Sequence, residues 1–231
     1  EIINSGFFRY AANSFLLASA TAGLAVLFGV FLAYGTRLKP GPVMSFASRI
    51  ASLGYAVPGA VIAVGVLIVY TTIDHALVAW LQASFGISTG LLLTGTVAGV
   101  VLAYLVRFLA VSLSTVEAGL AKITPSMDAA ARTLGYPPRA VMRRVHAPLM
   151  WGSLLTAAML VFVDVMKELP ATIILRPFNF DTLAIQAYQL ASDERLADAS
   201  SASLAIVLVG IIPVIALSVA IARSRAGHYD D

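Results

Sequence analysis

Residues 15–34 read Phe-Leu-Leu-Ala-Ser-Ala-Thr-Ala-Gly-Leu-Ala-Val-Leu-Phe-Gly-Val-Phe-Leu-Ala-Tyr, and the charge-free stretch around them runs from Tyr10 to Thr36. A helix that crosses a bilayer needs about 20 mainly apolar residues, so 10–36 is the first expected span. Four more apolar runs follow, at 50–73 (interrupted by Pro58-Gly59), 90–113, 148–168 and 202–222. The fold class expected is therefore all-α, a polytopic membrane protein with about five transmembrane helices in a single domain over 1–231. A basic loop occupies 117–147 and an outer segment 169–201.

Composition agrees. Of 231 residues, 59% are hydrophobic and 12% charged, with a mean hydropathy of +0.89. An ordinary soluble domain is roughly 25% charged, so the apolar excess has to face lipid. Large soluble proteins also bury helices that are apolar all round, but not five of them alternating with basic loops on one side. There is no cysteine, which removes disulfides and thiol chemistry. The net charge of +3 resides in short loops, a membrane-topology pattern that argues against nucleic acid.

Five spans put the ends of the chain on opposite sides. One set of loops carries Arg37, Lys39, Arg49, Lys122, Arg132, Arg139, Arg143, Arg144, Arg223 and Arg225; the other carries Arg9, Lys167, Arg176 and Arg195. The positive-inside rule makes the first set cytoplasmic, with the C-terminus inside and the start of the chain outside. An outside start leads to the expectation of a preceding span or a preceding half.

The basic loop has a readable local structure. Thr124 can cap a helix with Pro125 at its first position. Asp128 to Leu134 is Ala-rich and favours helix. Gly135 can take the left-handed conformation that ends it, Tyr136-Pro137-Pro138 cannot continue it, and Pro138 can start a second helix with Arg139 and Arg143 one turn apart. The result is a short helix, an elbow and a basic helix leading into a span. Resting on anionic headgroups is one use for such a loop.

Another use follows from a resemblance. Ala129-Ala130-Ala131, three residues, Gly135, nine residues, Val145-His146-Ala147-Pro148 resembles the EAA loop of binding-protein-dependent ABC importer permeases, Glu-Ala-Ala, three residues, Gly, nine residues, Ile-x-Leu-Pro. Ala129 stands for the Glu, with Asp128 one residue earlier; Val145 replaces Ile and Ala147 replaces Leu. Further stretches, Ser52 to Gly59, Lys167 to Thr172, Arg176 to Phe178 and Asp181 to Ala184, are similar to iron(III) permeases, and the likeness is to the C-terminal half of a fused, two-half chain. Sulfate, molybdate, thiamine and putrescine permeases share the core. The resemblance implies the type I importer permease fold, and a coupling loop of Asp128, Ala129, Ala130, Gly135, Arg139, Arg143, Val145 and Pro148 that docks in an ATPase. It also implies an ABC ATPase subunit dimer that binds the ATP and Mg, a second permease half, a periplasmic or extracellular binding protein, and residence in the bacterial inner membrane.

Tyr55 and Pro58 shape a kink that either faces the translocation path or only packs. Asp164, Lys167 and Glu168, read as the outer end of the fourth span, are either path residues or a local Lys–carboxylate pairing, and the local pairing is favoured. Arg107 is read as lying near the far end of the third span, within snorkelling reach of the headgroups. Gly95-x-x-x-Gly99 permits close helix approach. His75, His146 and His228 form no ligand cluster, and neither a phosphate-binding Gly-rich loop nor a catalytic constellation is present, so no catalytic, metal or cofactor site is expected in this chain. The rivals are an ion-coupled secondary transporter, which needs midplane charges and inverted repeats, an intramembrane enzyme, and a scaffold subunit.

Overall fold

The computed structural model describes residues 5–224, and among them all regular structure is helical. Arg225 and His228 lie outside the described residues. Helix α1 (Ser5–Leu38) ends beside Lys39-Pro40, and Pro42 opens α2 (Pro42–Leu53) at a position where its missing N–H costs nothing. One turn of 3-10 helix, Gly54–Ala56, precedes a break at Pro58, and α3 covers Gly59–Phe85. Next come α4 (Val97–Leu120), α5 (Pro125–Thr133), α6 (Pro138–Val141), α7 (Ala147–Met166), α8 (Pro170–Leu175), α9 (Leu183–Ser192) and α10 (Leu196–Ser224). Five helical stretches are long and apolar enough to cross a membrane: Gly6–Leu38, Gly59–Phe85, Val97–Leu120, Arg139–Met166 and Leu196–Ile221.

Helices α1, α4 and α7 pack on one another and form the core. Leu17, Ala18, Ala25, Val100, Ala103, Tyr104, Phe108, Val161 and Phe162 are buried in it. A second cluster toward the basic end holds Ala33, Tyr34, Leu113, Val116, Leu120, Ile123, Met150 and Ala157. Between apolar helices in lipid, association depends on close packing and interhelical hydrogen bonds rather than on water exclusion. The seam shows both: small residues such as Ala18, Ala25 and Ala103, and Ser112, whose hydroxyl donates to the Ala25 carbonyl at 2.9 Å. Large apolar side chains such as Phe31 and Ile212 point outward, as lipid requires.

The second span, the third span and the depth of the fourth differ from the sequence expectation, and the fifth starts at Leu196 instead of 202. The second span does not run through 50–73. Its chain breaks at Gly54–Pro58, α2 is a separate amphipathic segment, and the apolar helix continues to Phe85, past Asp74 and His75. Asp74 is tolerated inside that helix because its carboxylate accepts N–H bonds from Leu92 and Leu93 (3.0 and 2.8 Å) and from Thr94 (2.8 Å). Those bonds hold 86–96 as an irregular segment, so the third span starts at Val97 instead of residue 90 and extends to Leu120. Gly95 (φ 74) therefore lies outside any helix, and it forms no packing stripe with Gly99, which instead faces the Tyr70 ring.

The third difference concerns depth. Gly119 sits against Ser153, and Tyr104 bonds Thr172 through their hydroxyls. These two antiparallel contacts between α4 and the fourth-span region put Glu168 level with Arg107, not at the outer end of the bundle. Arg107 itself is ten residues, about 15 Å, from the start of α4 at Val97. It is near the middle of the helix rather than at its far end. At the end opposite the basic loops, the segment before α9 is tied to α1: Asn13 donates to the Asp181 carbonyl and the Leu183 N–H to Ser14, both at 2.9 Å.

Candidate functional site

The elbow is built as its residue types dictate. Thr124 has the extended backbone of a helix cap (φ −73, ψ 152), although its hydroxyl bonds the Ser126 hydroxyl at 2.8 Å rather than a backbone N–H. At the other end Gly135 is left-handed (φ 82). Its N–H donates to the Arg132 carbonyl at 2.9 Å, and the Tyr136 N–H to the Ala131 carbonyl at 3.2 Å. This is the Schellman pairing, which satisfies carbonyls that a helix end otherwise leaves open. After Pro137, α6 passes into one turn of π-helix, Met142–His146, and then into α7. The wider turn brings His146 into the bundle, where it is buried.

Asp128 anchors the elbow to the bundle. One carboxylate oxygen accepts from Arg37 at 2.7 Å and the other from His146 Nε2 at 2.5 Å. The Tyr34 hydroxyl bonds His146 Nδ1, so a neutral imidazole protonated on Nε2 satisfies all three groups. Arg37 also donates to the Leu120 and Ile123 carbonyls, both at 3.0 Å, closing the C-terminal end of α4. The carboxylate lies in the first turn of α5, where the helix dipole favours negative charge. A four-member network thus joins the end of α1, the end of α4 and both arms of the elbow.

The remaining elbow residues are displayed rather than buried. Ala129, Ala130, Gly135, Arg139, Arg143 and Pro148 are exposed and Val145 is half-buried. Leu134 is 76% exposed, and Met127 and Met142 are also uncovered. Arg144 stacks over the Tyr136 ring at 5.4 Å, and Arg139, Arg143 and Arg144 line a shallow basic concavity with Pro137 and Ala140. Exposed apolar side chains and arginines thus share the outer side of the elbow.

The second group lies at mid-depth. Asp164 pairs with Lys167 at 3.0 Å, so the local pairing is present. Glu168 does not continue the face of Asp164, because α7 ends at Met166. It is buried instead and approaches Arg107 Nη1 at 3.5 Å. A Cβ on Gly59 would collide with both Arg107 Nη1 and Glu168 Oε1, and one on Gly54 with the Val106 carbonyl. The break in the second span is therefore pressed against the pair. Tyr55, 51% exposed, lies over Phe108 with ring centroids 6.3 Å apart. Tyr55, Pro58, Lys167 and Glu168 share one neighbourhood with Arg107, a residue that sequence reasoning left out of the group.

Arg37, Tyr34 and His146 were missed as well. Arg37 reads as one more positive-inside charge, and an isolated His gives no pattern. For Arg107 a signal existed: an ionisable residue inside an apolar run usually has a functional partner.

The structure is thus a bundle with five apolar helical stretches of membrane-crossing length, a basic elbow at one end and helix breaks beside Arg107 and Glu168. The chain belongs to the family of binding-protein-dependent transport system inner membrane components, whose model matches residues 25–226. It is 29% identical over 213 residues to an Fe(3+)-transport system permease protein of Haemophilus influenzae, covering 92% of this chain and 39% of that one. It spans about two fifths of that relative's length. It is 28% identical over 223 residues to a putative 2-aminoethylphosphonate transport system permease protein of Salmonella typhimurium, covering 94% and 77%. The fold matches a bacterial ABC transporter involved in alginate import (TM-score 0.75, 12% identity, 96% and 80% covered) and a methionine ABC transporter in an inward facing conformation (TM-score 0.63, 17% identity, 95% and 94% covered).

Proposed function

We propose that this chain forms one half of the translocation pathway of an ATP-driven, binding-protein-dependent importer in a bacterial inner membrane, with the elbow at Asp128 to Pro148 on the cytoplasmic side. The observation that carries this reading is the Asp128 anchor: a short helix presents Ala129, Ala130 and Leu134 outward while its carboxylate is fastened to two spans. Such an element passes a push from a docked partner into α1 and into the His146 turn that opens α7. The partners are an ATPase dimer that holds ATP and Mg, a second permease half, and a binding protein that delivers the substrate from outside. The C-terminus is cytoplasmic.

Iron(III) is the substrate suggested by the sequence resemblance and by the Haemophilus relative. A second reading, a phosphonate, is favoured by a specific observation. Arg107 presents buried donors, Nε and Nη1, with no acceptor among the described residues, and a relative from Salmonella typhimurium is a putative 2-aminoethylphosphonate transport system permease protein. The experiment is uptake into proteoliposomes holding the complete transporter, with binding protein and ATP supplied. Uptake that needs the ATPase and stops on Gly135→Val supports the importer role. Uptake driven by an ion gradient with no nucleotide would overturn it.

A further inference from the structure

Resting on the pathway reading above, we propose that Arg107 is the specificity-determining residue of this pathway: a mid-depth recognition point for a tetrahedral oxyanion such as a phosphonate, with Glu168 holding its place when no substrate is there.

The guanidinium is under-satisfied. Arginine carries five N–H donors in a planar fork and stays charged at any working pH. The carboxylate facing Arg107 lies 3.5 Å from Nη1, well outside the 2.7–2.9 Å of a formed charge-assisted bond. Arg107 Nε and Nη1 are both buried and have no hydrogen-bond acceptor among the described residues. Glu168 is equally loosely held at its other contact, the Ala171 N–H at 3.4 Å. A pair that is close yet poorly bonded is poised for exchange: an incoming oxyanion offers Arg107 better oxygens, and Glu168 keeps the Ala171 N–H.

The surroundings indicate that this spot faces a path. Two helices break at the same level, the second span at Gly54–Pro58 and the fourth at Lys167–Leu169. Irregular backbone at membrane depth is tolerated only where it is buried in protein or lines a water-filled cavity. Lys167 is 66% exposed here and pairs with Asp164, and Tyr55 is open beside it. An open ammonium cannot face lipid tails, so this side of the bundle meets water or the second half of the permease. Gly59 supplies the space, since any side chain there would fill the site of the pair.

The chemistry selects an anion. Asp164 is bonded to Lys167 at 3.0 Å, whereas Arg107 keeps two buried donors, Nε and Nη1, with no acceptor among the described residues. A guanidinium fork fits two oxygens of a phosphonate side by side. It repels a bare metal cation. One loosely competed arginine also binds weakly, as a transport step requires.

The test uses the assembled transporter, this chain with its second half and ATPase subunits, in lipid nanodiscs. Methylphosphonate is the probe and thermal unfolding the readout. The proposal expects a saturable rise in melting temperature. Arg107→Gln should raise the half-saturating concentration at least tenfold, Arg107→Lys less, and Glu168→Gln should lower it about threefold by removing the internal competitor. Should Arg107→Gln fail to assemble, Glu168→Gln decides alone. Equal response in Arg107→Gln, weaker binding in Glu168→Gln, or no response in the unaltered transporter would overturn the proposal. So would loss of half-to-half association in Arg107→Gln without any phosphonate effect, which would make Arg107 an interface residue. An unaltered chain that does not co-purify with an ATPase would count against the importer reading itself.

Discussion

Arg37 and Asp128, 91 residues apart in sequence, meet in a 2.7 Å ion pair that fastens the elbow helix to the end of the first span. The pair is about one-fifth exposed at each partner, and its geometry is fixed by three further bonds, two from Arg37 to carbonyls and one from His146. It ties α5 to the end of α1 and, through the bonds of Arg37 to Leu120 and Ile123, to the end of α4.

Asp128→Asn should therefore leave membrane insertion intact while weakening the anchor by about 1.5–3 kcal/mol, the range for hydrogen bonds to charged groups. Arg37→Gln should give the same loss. The double variant should lose less than the sum of the two single losses, because both remove one shared ion pair, yet more than either alone, because Asp128 also holds His146 and Arg37 also holds the Leu120 and Ile123 carbonyls. Thermal unfolding of the four proteins in detergent checks this, and strict additivity would show that the two residues act separately.

Gly135→Val should uncouple the protein. The residue sits at φ 82, where a side chain costs about 1–2 kcal/mol and a β-branched one more. Gly135→Asn should be better tolerated, since Asn enters the left-handed region more readily. Uptake measured alongside membrane yield separates loss of coupling from loss of folding.

Leu134→Asp should act differently. At 76% exposure the side chain contributes little to the isolated chain, so the melting temperature should stay within about a degree, consistent with the small effect of surface substitutions. Co-purification of the ATPase should fall sharply. Unchanged co-purification would remove Leu134 from the docking surface.

The elbow was legible in the sequence because every part of it is local: Thr124-Pro125 at the start, Gly135 at the stop, Pro137-Pro138 at the restart. Span number was legible for a similar reason, because lipid demands long apolar runs. Two things were not. Apolar runs locate charges by their edges, so Lys167 and Glu168 read as an outer rim, whereas packing of α7 on α4 sets them level with Arg107. Long-range polar pairs such as Arg37 with Asp128, or Asp74 with the 92–94 backbone, leave no periodic trace, so the second and third spans were each misplaced by several residues.

Asp74→Asn isolates one of those unseen contacts. Its carboxylate accepts three backbone N–H groups, and an amide can accept through one oxygen only, setting its own N–H₂ against a donor. The loss should be about 2 kcal/mol, read as faster hydrogen exchange across 86–96 with little change in α4. Uniform loss of protection throughout the bundle would contradict that local role.

Docking of the elbow on a separate motor can be tested with a single thiol. The chain has no cysteine, so Ala130→Cys places a single thiol on the exposed face of α5. In native membranes, a short bifunctional thiol cross-linker should join that residue to the ATPase subunit, with a yield that changes when ATP is added. Reaction of the same thiol with a membrane-impermeant maleimide from outside the cell, with no ATPase adduct under any nucleotide, would contradict it.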